Sequence, residues 1–225
     1  PTFEFGALSR GINTATKTRE STDYLIFKQL LTYNKSFGDH FITLLVGHES
    51  QQSQWNGVRG QDTDFIGNDF PILGSGSGAD VLPIEYQGST AIESYFARAI
   101  YSYKGRYDVT TSIRRDASSM FSGSNRVGYF PSISASWNIS DEAFMSDINV
   151  VENLRLFGGY GEVGNQEISP FSFGSRLNSI SNDLGTGFQF ANFSNPDLRW
   201  ETSRQTNLGV SFTMFDTKLT TTVEV

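Results

Sequence analysis

The sequence contains no cysteine and only two histidines, His40 and His48. The absence of cysteine excludes disulfides, thiolate metal sites and cysteine nucleophiles. His40 falls in a predicted tight turn and His48 near the opposite end of a strand, so one metal ion could hardly bind both. Transition-metal catalysis has no support, and we expect neither a metal nor another cofactor.

Long apolar runs and a net positive charge are also missing. The longest apolar stretch, Phe41 to Val46, has the length of a strand, far short of the ~18 residues of a membrane-spanning helix. Charged residues make up 18% of the chain, and the net charge is −7. Nucleic acids attract a basic surface, so we expect no nucleic-acid partner. No signal-peptide pattern follows Pro1, which we interpret as a missing N-terminus.

Aromatic residues and glycine are abundant, in segments where apolar and polar residues alternate. Aromatics make up 14% of the chain, and there are 22 glycines. The alternation is clear from Tyr107 to Asp116 and again in residues 129–140, 205–214 and 218–225. Successive side chains of a strand point to opposite faces, so these segments are predicted to be amphipathic strands.

Weaker alternation predicts further strands, which brings the total to about nine. These strands are expected at about 2–9, 21–34, 40–50, 89–103 and 153–162. Tight turns are predicted at Lys35–Asp39, Lys104–Gly105 and Phe215–Asp216, and longer loops at 51–88, 117–128 and 163–199. Short turns on one side and long loops on the other are typical of membrane β-barrels. The link Asp141–Glu152 is the exception, a long connection on the side where the other connections are short turns.

Several aromatic residues fall near the short-turn end of their strands, although they come from different strands. They are Tyr33, Phe37, Tyr101, Tyr103, Tyr107, Trp137 and Phe215. Aromatic rings favour the boundary between lipid and water, so this placement predicts a girdle at the periplasmic side.

A soluble β-sandwich or up-and-down barrel would also alternate. Its weakness is the pair of long loops, because loops above ~15 residues are uncommon in compact domains. The fold class that we predict is therefore all-β, an antiparallel transmembrane β-barrel. An odd set of about nine strands would leave an open edge in lipid, so we expect a partial barrel.

Ordered motifs make the chain resemble the SusC-like (RagA-like) TonB-dependent transporters of Bacteroidota, in the C-terminal half of their barrel. The motifs are Leu31–His40, Ser94–Arg98, Tyr101–Tyr107, Arg115–Ser119, Phe121, Asn125–Arg126, Phe130–Ser132, Ser136–Ser140, Glu142–Phe144, Leu154–Arg155, Tyr160–Gly161, Gly164–Gln166 and Asn195–Glu201. At Ala117, Val163 and Ser211 the sequence departs mildly from the residues that are usual in this family. No plug domain and no TonB box are recognised in this sequence, and Val225 is not the aromatic residue expected at the end of a terminal strand.

The resemblance implies a transporter of the outer membrane of a Gram-negative bacterium, not an enzyme. Its expected activity is the import of glycan fragments or peptides, driven by the TonB–ExbB–ExbD complex through the missing plug. The expected partners are a SusD-like surface lipoprotein, the lipid membrane and an oligosaccharide or peptide substrate. A passive porin or a structural outer-membrane surface protein is the alternative.

Four charged residues, Arg98, Arg114, Asp116 and Arg155, occupy positions predicted to face inward. A charge that faced lipid near the middle of the membrane would cost about 2–4 kcal/mol. These side chains could line a solute path or contact the plug, or they could form a network of ion pairs in the lumen, which we favour.

The long loop at 51–88 carries the remaining candidates. Trp55 and Arg59 are predicted surface contacts to a ligand or partner, since an aromatic ring can stack on a sugar. Asp62, Asp64 and Asp69 are similar to a calcium loop, but Ile66 and Leu73 stand where oxygen ligands are needed. The segment Gly74–Gly78 lacks the strand and helix of a phosphate-binding loop, so we expect a flexible loop.

Overall fold

The computed structural model describes residues 13–65, 72–78, 83–148, 150–182 and 185–225. Its strands are β1 Thr14–Phe37, β2 His40–Thr63, β3 Ile84–Tyr103, β4 Tyr107–Ser118, β5 Val127–Asn138, β6 Val151–Asn165, β7 Arg176–Asn182, β8 Gly185–Asn192, β9 Glu201–Met214 and β10 Leu219–Glu224. Short 3₁₀ helices lie at Gly123–Arg126, Ile139–Asp141 and Ala143–Met145. Within the described ranges, no helix has the length and apolar character needed to cross a membrane.

Eight strands form one sheet in the order β1-β2-β3-β4-β5-β6-β9-β10, and β7 and β8 form a separate antiparallel hairpin. All eight predicted strands that fall on described residues belong to the large sheet, which confirms the antiparallel all-β class. The strand predicted at 2–9 lies outside the described residues. Within the described part of the chain, β1 and β10 are the ends of the order, and the sheet is not closed.

Residue contacts divide the chain into two units. The first comprises residues 1–25 and 52–90, and the second comprises 26–51 and 91–225. The strands β1, β2 and β3 contribute residues to both units, whereas β4 to β10 belong to the second.

Uninterrupted pairing from β3 to β6 sorts the side chains of the second unit onto two faces. The polar face includes Ser94, Arg98, Thr110, Ser112, Ser132, Ser134, Ser136, Asn207 and Ser211. The apolar face includes Tyr95, Ala97, Val109, Ile113, Ile133, Ala135, Leu156, Leu208 and Val210. On the apolar face, Ile113 is 49% exposed and Ile133 52%. Large apolar side chains left uncovered in this way indicate a surface that meets something other than water.

The predicted loop at 51–88 is wrong at both of its ends, because β2 continues to Thr63 and β3 begins at Ile84. The predicted loop at 163–199 likewise contains the hairpin of β7 and β8. Backbone hydrogen bonds hold these strands, and no apolar side chains are required on either face. Apolar periodicity therefore cannot detect them.

The buried apolar side chains of the second unit, among the described residues, are Phe121 and Phe130. Both rings contact Trp200, each with ring centroids 5.3 Å apart. Glycines make room for this aromatic cluster. A methyl group added at Gly164 would lie 2.0 Å from Phe130 Cζ, and one added at Gly128 2.5 Å from it. The cluster thus packs the start of β5 against the residue that precedes β9.

Polar contacts attach the segment before β9 to the connection between β4 and β5. The Ser122 hydroxyl and the Asn125 side-chain amide both donate to the Pro196 carbonyl, each at 3.1 Å. The indole of Trp200 donates to the Arg126 carbonyl at 2.9 Å. The motif Asn195–Glu201, quoted above for the family resemblance, therefore holds two connections together at one end of the sheet.

Candidate functional site

A cluster of charged side chains occupies the second unit, centred on Arg114. Its Nε donates to both oxygens of Asp116, at 2.7 and 2.9 Å, and its terminal NH2 donates to Ser94 Oγ at 2.7 Å. The same NH2 group lies 3.4 Å from Glu49 Oε1, and Glu49 also pairs with Lys28. We refer to Lys28, Glu49, Ser94, Arg114 and Asp116 as the Arg114 cluster.

The charges of the Arg114 cluster satisfy one another. Two cations face two carboxylates, and Glu49 and Asp116 are only 5% and 8% exposed. The ring of Phe96 lies beneath the guanidinium, 5.3 Å from its central carbon. Buried charges need such partners, because desolvation is costly. This geometry favours the ion-pair network over an open ligand site, and a role in binding solute stays a prediction.

Sequence reasoning placed Arg114 and Asp116 on the inward face but missed Lys28 and Glu49. Lys28 is a charged residue inside a largely apolar segment of β1, which was the available signal, whereas Glu49 lies in a polar stretch of β2. Which residues of β1 and β2 would come within reach of Arg114 could not be derived from the sequence.

The other two predicted arginines lie on the polar face but outside the Arg114 cluster. Arg98 pairs across the strands with Ser112 and is exposed. Arg155 is also exposed and donates to Ser136 Oγ at 2.8 Å. Arg155 lines a groove of about 640 Å³. Other residues of this groove are Asp108, Ser134, Ser136, Asn207 and Thr222. Small polar residues make this part of the face a smooth, hydrogen-bonding wall.

Trp55 and Arg59 lie on strand β2, not on a loop as predicted. Across the strands, the Trp55 ring covers Gly88, and the Tyr86 ring covers Gly57. A methyl group added at Gly88 would lie 2.3 Å from Trp55 Cζ2, and one added at Gly57 2.5 Å from Tyr86 Cζ. The two rings therefore rest against glycine backbone on one stretch of the first unit.

Polar groups accompany these rings. The Tyr86 hydroxyl donates to Glu20 Oε2 at 2.8 Å, and the side chain of Arg59 is exposed. We refer to Glu20, Trp55, Arg59 and Tyr86 as the Trp55 surface. Sequence reasoning missed Glu20 and Tyr86, because the strand pairing that joins them to Trp55 is not visible in the sequence.

The acidic and glycine-rich segments of the first unit form one structural feature. Asp62 accepts hydrogen bonds from the backbone N–H groups of Thr63, Gly74 and Gly76, at 2.8, 2.8 and 3.0 Å. The Gly–Ser segment expected to be a flexible loop instead folds around this carboxylate. A methyl group added at Gly76 would lie 2.2 Å from the Thr63 carbonyl, so glycine is needed there.

Backbone donors already occupy the oxygens of Asp62, so the arrangement does not resemble a calcium site. Asp69 and Ile66, which belonged to that comparison, lie outside the described residues. Among the residues that the structure describes, no group of three or more His, Asp or Glu side chains could hold a metal ion.

Aromatic rings form a continuous row along the short-turn end of the second unit. Ring centroids are 5.0 Å apart for Phe37 and His40, and 4.8 Å for His40 and Tyr103. The row continues from Tyr103 to Tyr107 at 6.2 Å and from there to Trp137 at 6.3 Å. This confirms the predicted alignment for these members and adds His40, whose Nδ1 lies 2.8 Å from the Tyr101 hydroxyl.

Glu142, which sequence reasoning did not select, attaches the connection after β5 to this row. Its carboxylate accepts hydrogen bonds from the Tyr107 hydroxyl, from Trp137 Nε1 at 3.0 Å and from Arg106 at 3.2 Å. The hydrogen bonds from Tyr107 and Trp137, with the positive charge of Arg106, hold the pKa of Glu142 below its ordinary value.

These features define the class of protein. The part of β4 from Tyr107, in the aromatic row, to Arg115 contains nine residues. A tilted strand crosses a membrane in about 9–11 residues. Between these ends the apolar face is uncovered and the opposite face is polar. The sheet therefore has the two-faced wall of a transmembrane β-barrel, and the soluble alternative does not explain its exposed apolar face.

The chain belongs to the TonB-dependent receptor-like β-barrel family, whose profile matches residues 2–225. It is 34% identical over 210 residues to TonB-dependent receptor P3 of Formosa agariphila, covering 91% of this chain and 21% of that protein. It is 30% identical over 231 residues to TonB-dependent receptor SusC of Bacteroides thetaiotaomicron, covering 97% of this chain and 22% of that protein. The chain thus spans about a fifth of the length of the curated relatives it matches.

Solved structures agree with this assignment. The chain matches the RagAB peptide transporter with a TM-score of 0.83 and 25% identity, covering 95% of this chain and 24% of that chain. The RagAB peptide importer in its "open-open" state gives a TM-score of 0.81. The family consists of outer-membrane receptors and transporters of Gram-negative bacteria rather than enzymes, which places this chain in the wall of an outer-membrane barrel.

Proposed function

We propose that the protein to which this chain belongs imports a nutrient across the outer membrane, using energy delivered by TonB. The observation that carries the proposal is the wall itself, with a polar face beside an uncovered apolar face, in a chain similar to SusC and to the RagAB peptide transporter. The plug domain, through which the TonB–ExbB–ExbD complex would act, is proposed for residues outside this chain.

The same proposal orients the wall. In membrane barrels the short turns face the periplasm. The turns after Phe37, Tyr103 and Met214 are short, so we place them and the aromatic row on the periplasmic side. The connections between β2 and β3, β4 and β5, and β6 and β9 then face the cell exterior.

Three strands are longer than a membrane crossing requires. The strands β1 and β2 each contain 24 residues and β3 contains 20, although about 11 are enough to cross the membrane. The residues of these strands are therefore not all needed for the crossing.

We propose the Trp55 surface as a contact for an oligosaccharide or peptide substrate, or for a SusD-like surface lipoprotein. Its rings offer apolar area held at fixed positions, and Glu20 and Arg59 offer hydrogen bonds beside them. Aromatic rings with a polar edge bind ligands and partners well, because they bury a large area at low entropic cost. Arg98 and Arg155 are proposed as later contacts on the polar face.

Two experiments on the full-length protein in its native host test these proposals. Growth on the imported nutrient should require TonB, and growth at the same rate without TonB would favour a passive porin. In a pull-down, Trp55→Ala should weaken lipoprotein binding or uptake while barrel assembly is unchanged. Val58→Ala is the control, since Val58 is an exposed apolar residue on the other face of β2. Equal effects of the two substitutions would contradict the role of the Trp55 surface.

A further inference from the structure

Arg115 is a positively charged residue on the apolar face. The strand pairing places Tyr95 on one side of it and Tyr129 on the other, and its guanidinium lies 6.0 Å from the centre of the Tyr95 ring. Arg114, its neighbour on the polar face, pairs with two carboxylates. In the described part of the chain, Arg115 forms no ion pair with an acidic residue.

The carboxylate of Glu93, two residues before Tyr95 on β3, already forms hydrogen bonds with other groups. Glu93 accepts a hydrogen bond from the Tyr95 hydroxyl at 2.8 Å and lies 3.3 Å from His48 Nε2. Arg115 is therefore a cation on a lipid-facing surface that forms no direct ion pair with a described carboxylate, although Glu93 lies near enough for the two charges to attract each other. Such a residue is tolerated only near a membrane boundary, where an anion or water can reach it.

The position of Arg115 identifies which boundary this is. It lies on β4, eight residues after Tyr107 of the aromatic row, so it reaches the opposite surface of the membrane. In the orientation proposed above, on which this inference rests, that surface is the outer leaflet.

An apolar groove runs beside Arg115 on the same face. It has a volume of about 350 Å³. Its walls include Val46, Tyr95, Ala97, Ile113, Arg115 and Tyr129. A second groove of about 360 Å³ shares Val46 and Tyr95 with the first. A cation at one end of an apolar groove is complementary to a molecule with an acyl chain and an anionic head.

We propose that Arg115, flanked by Tyr95 and Tyr129, binds the phosphate of a glycolipid of the lipid A type from the outer leaflet. The acyl chain lies along the groove, and the tyrosine rings lie at the level of the sugar head group. A guanidinium suits this role because it binds phosphate through paired N–H groups and retains its charge. A phospholipid of the periplasmic leaflet would meet the aromatic row instead.

The test measures lipid that copurifies with the full-length protein extracted in a mild detergent. Mass spectrometry should find lipid A bound to the wild type and to Arg115→Lys, and at least about fivefold less bound to Arg115→Gln. Arg204→Gln is the control, because Arg204 pairs with Glu162 at 3.3 Å and should leave bound lipid A unchanged. Heat-modifiable migration on a gel checks that each variant is assembled.

Equal lipid A on wild type and Arg115→Gln would overturn the proposal, as would copurified phospholipid in place of lipid A. Failure of the proposed orientation is distinguishable. A cysteine placed at Lys35 would then be labelled from outside intact cells, whereas a correct orientation leaves it unlabelled. Transport of the nutrient is not needed for either measurement, so the lipid site and the import function are tested separately.

Discussion

Trp137 donates a hydrogen bond from its indole Nε1 to the carboxylate of Glu142, at 3.0 Å. This contact explains the long connection on the short-turn side of the wall, which the sequence left as an exception. The chain between β5 and β6 forms two short 3₁₀ helices and is held against the aromatic row through Glu142.

The first prediction concerns this carboxylate. Its lowered pKa means that the charged form is the one stabilised in the folded protein. The stabilisation is complete above the ordinary carboxyl pKa and is lost as the pH falls through the folded value. We expect acid to increase proteolysis of the connection between β5 and β6 in the wild type, and Glu142→Gln to be cleaved readily at neutral pH already.

Limited proteolysis of the full-length protein across the acid range measures this effect. Asp141→Asn, one residue earlier, is the control and should behave as the wild type. A pH profile of Glu142→Gln identical to that of the wild type would show that Glu142 does not hold the connection.

The second prediction concerns the aromatic cluster of Phe121, Phe130 and Trp200. Gly164→Ala should destabilise the folded barrel by about 1–3 kcal/mol, because the added methyl group overlaps the Phe130 ring. Gly161→Ala is the matched control on the same strand, since its methyl group would lie 3.5 Å from Ser132 Cβ, an ordinary contact. Urea unfolding in detergent gives both values, and similar losses for the two variants would argue against tight packing at Gly164.

The third prediction concerns the Arg114 cluster. Arg114→Gln should destabilise the barrel by about 1–3 kcal/mol, because it leaves the nearly buried carboxylates of Glu49 and Asp116 without their shared partner. The exposed Arg98 makes no ion pair among the described residues, so Arg98→Gln should change stability by less than about 0.5 kcal/mol.

Urea unfolding of the two arginine variants separates structural from transport roles. If Arg114→Gln abolished uptake without changing stability, the cluster would belong to the solute path rather than to a structural network. Adding Asp116→Asn should recover part of the lost stability, because Asp116 pairs with Arg114, whereas Glu49 keeps its ion pair with Lys28.

The fourth prediction concerns which side chains meet lipid along β5. Pairing with β4 and β6 puts Ile133 and Ala135 on the apolar face and Ser132 and Ser134 on the polar face. Single cysteines carrying a spin label should be quenched by a lipid-soluble reagent at the first two positions and by a water-soluble reagent at the other two. If quenching did not alternate along the strand, or if the serine positions were quenched from lipid, the assignment of the apolar face to lipid would be wrong.

Sequence reasoning succeeded where one face of a strand is apolar and failed where neither face is. The segment from Tyr107 to Asp116 was predictable, because lipid on one side and polar surroundings on the other impose a period of two. Residues 51–63 were assigned to a loop although they continue β2. This part of β2 carries polar residues on both faces, and the backbone hydrogen bonds of a strand leave no mark on hydropathy.

The site shows the same division. Alternation alone predicted that four charged residues share the inward face, and the strand pairing agrees. They are Arg98, Arg114, Asp116 and Arg155. Their partners did not follow. Whether a charge is paired, as in Arg114, or open, as in Arg155, depends on which residues the neighbouring strands bring within about 3 Å.

The sequence by itself determined that this chain alternates, that one face is apolar, and that short turns lie opposite long connections. These are local properties, set by the geometry of a strand and the two environments around it. Only the tertiary structure decided that Glu49 meets Arg114, that Gly74 and Gly76 enclose Asp62, and that Trp200 packs on Phe121. The partners in each case are at least 12 residues apart in the chain, and they meet only when the strands and the connections between them have folded.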